Sequence, residues 1–216
     1  MLSLPKITLV VVTSVKIDQN IDALIKSTNG IQYGDVKFFS HEHPQKLPSN
    51  IKFVRIEPID YVGFSRFTFH EMWKYIDTEF CFLVHHDGWA TGPENWSDRF
   101  LDFDYIGAPW AYSEQAYITD YGEHVRVGNA GVSIRSKKLL EMPTKLGLKL
   151  EERQGYYNDD GNYCVYHRKT FLENGIKYAP IELAAKFSSE IYIEGITVQN
   201  TFAFHGFHPH NIGRIR

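Results

Sequence analysis

The chain has 216 residues, a formal net charge of −3, two cysteines and 15% aromatic side chains. This length suits one domain that buries its core without covalent staples. The small net charge and the lack of a Lys/Arg cluster argue against a nucleic-acid partner, because neutralising phosphates needs a basic face.

No apolar run approaches the roughly 20 residues of a bilayer span. Cys81 and Cys164 fall in apolar segments without CxxC or metal-ligand spacing. They read as free thiols, which points to a cytoplasmic compartment and leaves room for a peripheral role at a membrane surface. The amino-terminal MLSLPKITLVVVTSV has Pro5 and Lys6 ahead of its apolar run, so it reads as a strand and not as a signal peptide.

Ile7–Val15, nearly continuous in β-branched residues, predicts a central parallel strand buried on both faces. Asp18 is a candidate cap for a helix from Gln19 to Ser27, which Asn29-Gly30 stops. Val36–Ser40 and Ile51–Ile56 predict short strands joined by a polar, Pro-punctuated loop. Apolar positions at Phe64, Phe67, Met72, Trp73 and Ile76 predict a helix over Phe64–Ile76 with Ser65 near its start, and a buried strand Cys81–Val84 follows. This order predicts an α/β fold, a predominantly parallel twisted sheet with flanking helices.

The second half is less regular. It reads as a helical segment Trp96–Phe103, an extended DYIGAPW (Asp104–Trp110), a Tyr-rich loop Tyr112–Val125, and a small-residue turn and strand over Val127–Arg135. Helices follow at Ser136–Met142, Asn162–Glu173 and Ile181–Phe187, with strands at Ile176–Ala179, Ile191–Ile193 and Thr201–His205. A single domain 1–216 is expected, with a nucleotide-binding half at about 1–91 and a loop-rich half at about 92–216.

Three polar clusters carry the chemistry. Strand Cys81–Val84 runs straight into His85, His86, Asp87 and Gly88. Ligands in open α/β sheets sit beyond the carboxyl ends of strands, so a carboxylate there suggests a ligand or metal site, although a hydrated turn is the plainer reading. Asn158-Asp159-Asp160-Gly161 opens a predicted helix. Capping needs one aspartate, and the second, held ionised by the helix dipole, is a candidate general base. His205 ends the alternating run FAFH and points inwards, whereas His208 and His210 read as tail. A single Asp with a distant His can hold Mn2+ or Mg2+ that also takes diphosphate oxygens. The VGNAG turn lacks GxGxxG and P-loop spacing, and its small residues instead admit another molecule to the backbone.

In order and spacing, HHDGW, WSDRFLDFDYIGAPW, VGNAGVSIRSKKLL, NDDGNYCVYHRKTFLENGIKYAPIELAAKFSSE and TFAFHGFH resemble a family of GT-A-type glycosyltransferases of bacteria and large DNA viruses. The resemblance covers roughly Tyr61–His208, and DYIGAPW is its most specific string. It implies a GT-A-like fold with a loop-rich acceptor half. It also implies an enzyme that moves a hexose or deoxyhexose from a nucleotide diphosphate donor, most commonly UDP, to a glycan hydroxyl with inversion.

Asp87 then corresponds to the last aspartate of a DxD-like metal motif, with His85 where the family has its first carboxylate, and His205 completes the site for Mn2+ or Mg2+. Gly128, Asn129, Ala130 and Gly131 match the glycine-rich turn near sugar and acceptor, and Asp159 and Asp160 match the acidic pair whose second member is the base. By fold analogy Thr13, Ser14, Val15, Arg66 and His86 flank the donor, while Trp89, Trp110 and Tyr112 are candidates to stack on the acceptor sugar.

The implied partners are a nucleotide-sugar donor and a glycan or glycoconjugate acceptor, and domains beyond residue 216 are left open. Two rival readings stand beside this one. The first is a metal-dependent hydrolase built on His85, His86 and Asp87 with His205, His208 and His210; the second is a non-catalytic sugar-binding domain on the same fold.

Overall fold

The apolar run of the amino terminus forms β1 (Leu2–Val12), in a computed structural model that describes residues 1–153, 155–209 and 211. Alternate side chains of β1 feed two separate cores: Leu9 and Val11 join one apolar cluster, Val10 and Val12 the other. Burial on both faces is what a continuous β-branched run requires. Then come α1 (Ile17–Ser27), β2 (Ile31–Ser40), β3 (Lys52–Arg55), α2 (Tyr61–His70), a 3-10 turn at Met72–Tyr75, β4 (Phe80–Leu83) and β5 (Gly88–Ala90). The remainder forms β6 (Tyr105–Gly107), β7 (Ser133–Ser136), α3 (Lys137–Leu146), a single turn α4 (Asp159–Gly161), α5 (Arg168–Glu173), α6 (Ile181–Phe187), β8 (Ser188–Ser189) and β9 (Ala203–His205).

The main sheet has the order β3-β2-β1-β4-β7-β6. Its first four strands are parallel, and β7 runs antiparallel to both neighbours. The chain winds outward from β1 through β2 to β3, then returns to the other side of β1 as β4. Connections leaving β1 and β4 therefore diverge, and a crevice opens at the carboxyl ends of these two strands. A small sheet, β5-β9-β8, closes one side. Helices α1 and α6 cover one face of the main sheet, and α2 and α3 the other. This is the mixed α/β architecture, mostly parallel, that the sequence predicts.

Several boundaries differ, each for a local reason. Lys16, in the left-handed region at φ 49°, occupies the position before α1, and exposed Asp18 lies within the first turn instead of capping it. Helix α2 starts earlier than Ser65 because Asp60 Oδ1 accepts the Gly63 N–H at 2.7 Å, and it stops at His70. The predicted helix over Asn162–Glu173 is broken by a π-type turn at Asn162–Tyr166, where the His167 N–H reaches back to the Asn162 carbonyl. Ile176–Ala179 contributes one bridge, Tyr178 to Tyr105, instead of a strand. Ile191–Ile193 is not a strand either, because β8 already pairs with β9 and Ile193 turns back onto Ile196. Cys81 and Cys164 are buried free thiols, and among the described residues no helix is long and apolar enough to cross a membrane.

Ser136 ties three segments together. Its Oγ accepts the Leu139 N–H at the start of α3 and donates to Asp104 Oδ1 at 2.6 Å, while Asp104 Oδ2 accepts the Lys177 N–H. In urea melts, Ser136→Ala is expected to cost about 1–2 kcal/mol, because both a cap and a charge-assisted bond are lost. Asp18→Ala should stay within about 0.5 kcal/mol, as for an ordinary surface change; the reverse ranking would contradict these cap assignments.

Candidate functional site

A cavity of about 550 Å³ occupies the crevice. The segment after β1 supplies Thr13, Ser14 and Val15, and the segment after β4 supplies His85 and His86. From the second half come Asn129, Ala130, Gly131, Asp159, Asp160, Glu190 and His205. Residues far apart in sequence thus meet where the strand order reverses.

The turn before β7 holds them. Asn129, at φ 68°, lies in the left-handed region, which asparagine tolerates. Its Oδ1 accepts the Gly131 N–H at 2.9 Å, its carbonyl accepts the Tyr105 hydroxyl at 3.0 Å, and its Nδ2 donates to Glu190 Oε2. The next amide, Ala130 N–H, donates to Asp160 Oδ2 at 3.1 Å, and the Gly161 N–H donates to Asp160 Oδ1 at 2.7 Å. The glycines serve the protein's own rings. A β-carbon on Gly131 would stand 2.0 Å from His205 Nε2, and one on Gly128 would stand 2.0 Å from the Trp110 ring. The small residues therefore admit His205 and Trp110 to the backbone.

The acidic pair is divided between two duties. Asp159 is buried and bonded through Oδ2 to Arg135 Nη1 at 2.7 Å. Arg135 is wholly buried on β7, its guanidinium 5.5 Å and 5.1 Å from the centres of the Tyr105 and Tyr163 rings. Neither aspartate side chain caps α4: Asp159 turns to Arg135, and Asp160 turns to the glycine-rich turn. Burial, reinforced by the negative charge of Asp159, pushes the Asp160 carboxyl up to about 6. A carboxyl poised there exchanges a proton near neutral pH.

His205 faces two carboxylates. Its Nδ1 lies 3.2 Å from Glu190 Oε1, and its Nε2 lies 3.7 Å from Asp87 Oδ1. Burial works against charge on this ring, but the hydrogen bond and charge of Glu190, with Asp87, outweigh it and raise its pKa. Burial, with the charge of His205 adding, pushes His85 down to about 4, so that ring is neutral. Its Nε2 is enclosed and has no hydrogen-bond partner among the described residues. His86 Nε2 accepts from Lys16 Nζ at 2.8 Å, and its Nδ1 is 3.7 Å from Asp87 Oδ1.

These donors fit a divalent cation as a two-donor site. Glu190 engages Nδ1 of His205 and leaves Nε2 for a cation, the usual carboxylate–histidine arrangement behind a ligating imidazole. Asp87 supplies a hard oxygen beside that nitrogen. Among the described residues no three His, Cys, Asp or Glu side chains converge as a metal site, so a cation here needs substrate oxygens to complete its shell. Among the described residues the three protein ligands usual for the hydrolase reading are not brought together. Exposed His208 packs on Gly206, and His210 lies outside the described residues.

Four of the expected binding residues do not line the cavity. Trp89 is buried in β5, edge-on to Phe204 at 4.6 Å with Lys26 Nζ 4.2 Å above its ring, so no sugar can reach its face. Arg66 is exposed on α2, outside the cavity lining. Tyr112 stacks on His124 outside the cavity. Asp87 is not in the lining itself, although His86 and His205, which are, flank it. Trp110 does line the cavity, stacked on Tyr117. The sequence reading missed Asn20, whose Nδ2 ties down the segment Thr13–Lys16, and also Tyr61, Tyr117, Glu190 and Arg135. Only Arg135 left a trace, as a charge within the alternating strand VSIR.

No curated protein matches the chain. Among solved structures, it is similar over 92% of both chains to a glycosyltransferase involved in the glycosylation of the major capsid of PBCV-1, at 13% identity and a TM-score of 0.52. It is similar to the galactosyltransferase LgtC in complex with donor and acceptor sugar analogues, at 12% identity and a TM-score of 0.54, covering 94% of this chain and 87% of that one. The apo glycosyltransferase GlyE of Streptococcus pneumoniae TIGR4 matches at 12% identity and a TM-score of 0.51, covering 94% of this chain and 55% of that one. At such identity the likeness shows the fold, which is that of GT-A-type glycosyltransferases. The family model described as "Protein of unknown function (DUF5672)" matches residues 47–208, and the chain belongs to that family.

Proposed function

We propose that this protein is a metal-dependent glycosyltransferase, moving a hexose or deoxyhexose from a nucleotide diphosphate donor, most commonly UDP-linked, to a glycan hydroxyl with inversion. One observation supports this reading above the others: the Asn129–Gly131 turn binds Asp160 directly and seats His205, bringing a proton acceptor and a cation ligand to one cavity. That cavity lies in a glycosyltransferase-like fold.

In this reading Thr13, Ser14 and Val15 flank the nucleotide, held by Asn20. Asp87 and His205 Nε2 hold Mn2+ or Mg2+, which when bound neutralises the diphosphate leaving group. Glu190 keeps the His205 ring turned so that Nε2 faces Asp87. Asp160, fixed by two backbone N–H groups, takes the proton of the acceptor hydroxyl as its oxygen attacks the anomeric carbon. The bond from that carbon to the diphosphate oxygen breaks on the opposite face, and its electron pair leaves with the nucleotide. Asp159, anchored by Arg135, supplies the charge that keeps Asp160 basic enough for this step.

Nucleoside diphosphate release from a panel of nucleotide sugars measures the activity. Asp160→Asn should keep the fold and lower turnover by about 100-fold or more; near-wild-type turnover would remove Asp160 as the base. Turnover should rise with pH through about 6 as the Asp160 carboxyl ionises.

Stability gives an independent reading of the same group. Its folded pKa is raised, so its contribution to stability is fully present below about pH 4, the unfolded value, and is lost as pH rises through about 6. The Tm of the wild type relative to Asp160→Asn should fall across that window, and a constant difference would contradict the raised value. Gly131→Ala should displace the His205 ring and weaken Mn2+-dependent UDP binding by about ten- to a hundredfold in calorimetric titration; unchanged affinity would contradict the seating of His205 on this turn.

A further inference from the structure

The cavity lining combines two chemistries. Thr13, Ser14, His85 and His86 supply polar lining, and Tyr61, Trp110 and Tyr117 supply aromatic lining; burial and then the nearby charge of Asp160 raise the hydroxyl pKa of Tyr61 and of Tyr117. Trp110 and Tyr117 stack there with ring centres 4.1 Å apart and planes 13° apart. Trp110 is almost wholly buried, while Tyr117 is 38% exposed and Tyr61, on α2, is 58% exposed. Tyr117 is presented from a left-handed backbone position, φ 58°, which is uncommon for an aromatic residue. Both tyrosines and Trp110 line the cavity alongside Asp160. The charges are one-sided as well. Among the described residues no Lys or Arg lines this cavity, whereas Asp60, Asp159, Asp160 and Glu190 all do.

We infer that Tyr117, backed by Trp110 and flanked by Tyr61, is the platform for the acceptor, and that the acceptor is a neutral pyranose. This rests on the transferase reading and assigns its second substrate. An aromatic face offers a C–H-rich sugar ring an apolar surface, and Asp160 beside it accepts a hydrogen bond from a sugar hydroxyl. A uronic or sialic acid would bring its carboxylate towards Asp60, Asp160 and Glu190, and no Lys or Arg among the described residues lines the cavity to receive it, a like-charge cost that disfavours such acceptors.

Saturation-transfer NMR without nucleotide tests this on methyl β-glucopyranoside, methyl β-galactopyranoside and methyl glucuronide. The wild type is expected to saturate ring protons of a neutral pyranoside and not of the glucuronide. Tyr117→Asn removes the ring while suiting the left-handed backbone, and it should weaken that binding about three- to tenfold. Tyr117→Phe should retain it, and Tyr192→Ala, which removes a more exposed ring outside the cavity, should leave it intact. No saturation of either neutral pyranoside, equal binding by Tyr117→Asn, or equal saturation of the glucuronide would overturn the proposal. If neutral pyranosides bind through Tyr117 but no nucleotide sugar is turned over, the platform stands and the transferase reading falls. If turnover occurs but its acceptor KM is unmoved by Tyr117→Asn, the platform falls and the transferase reading stands.

Discussion

One amide side chain, that of Asn129, fixes the geometry on which the site depends. Its oxygen closes the turn onto the Gly131 N–H, and its nitrogen holds Glu190, the carboxylate that also faces His205 Nδ1. With both ends committed, the amide cannot flip without breaking a bond. The backbone conformation makes the same demand, since few side chains other than asparagine and aspartate accept the left-handed region at low cost. Through the neighbouring Ala130 N–H the same turn reaches Asp160, so a change at Asn129 is felt by both the imidazole and the carboxyl. Each such hydrogen bond contributes about 1 kcal/mol net, and those to charged groups more. Their value here lies more in setting positions than in stability.

Behind this turn stands the buried Arg135–Asp159 pair. Taking two charges out of water is expensive, and removing one partner leaves the other uncompensated at about 3–5 kcal/mol. Packed between Tyr105 and Tyr163, the guanidinium replaces part of its lost hydration with ring faces. Burial first and the charge of Asp159 second raise the Asp160 carboxyl, while Arg135 pulls it the other way. Stability and proton affinity are therefore coupled in the same few residues.

The legible parts of the sequence were those where local pattern and burial agree. An unbroken β-branched run makes β1 central, and the abrupt change from Cys81–Leu83 to His85 and His86 marks where β4 meets the crevice. Strand ends and turn chemistry marked Asp160 and His205 singly, and their meeting at the small-residue turn was what the family resemblance implied. Pairings between distant segments were not legible. Nothing local to Glu190 signals that it faces His205, and nothing in VSIR names Asp159 as the partner of Arg135. Tryptophan shows the limit most plainly. Trp89 and Trp110 both follow apolar strands, but Lys26 and Phe204 cover one, whereas Gly128 and Tyr117 leave the other at the cavity wall.

The proposed chemistry stands on Asp87 and His205 as a two-donor cation site completed by a nucleotide diphosphate. Thermal melting with UDP and GDP, each with and without Mn2+, tests it most directly, because a ligand that binds the native state raises Tm by mass action. At least one nucleotide should raise Tm strongly with Mn2+ and little without it, and Asp87→Asn or His205→Ala should abolish the metal-dependent part. Equal stabilisation with and without Mn2+, or full stabilisation in either variant, would contradict the account.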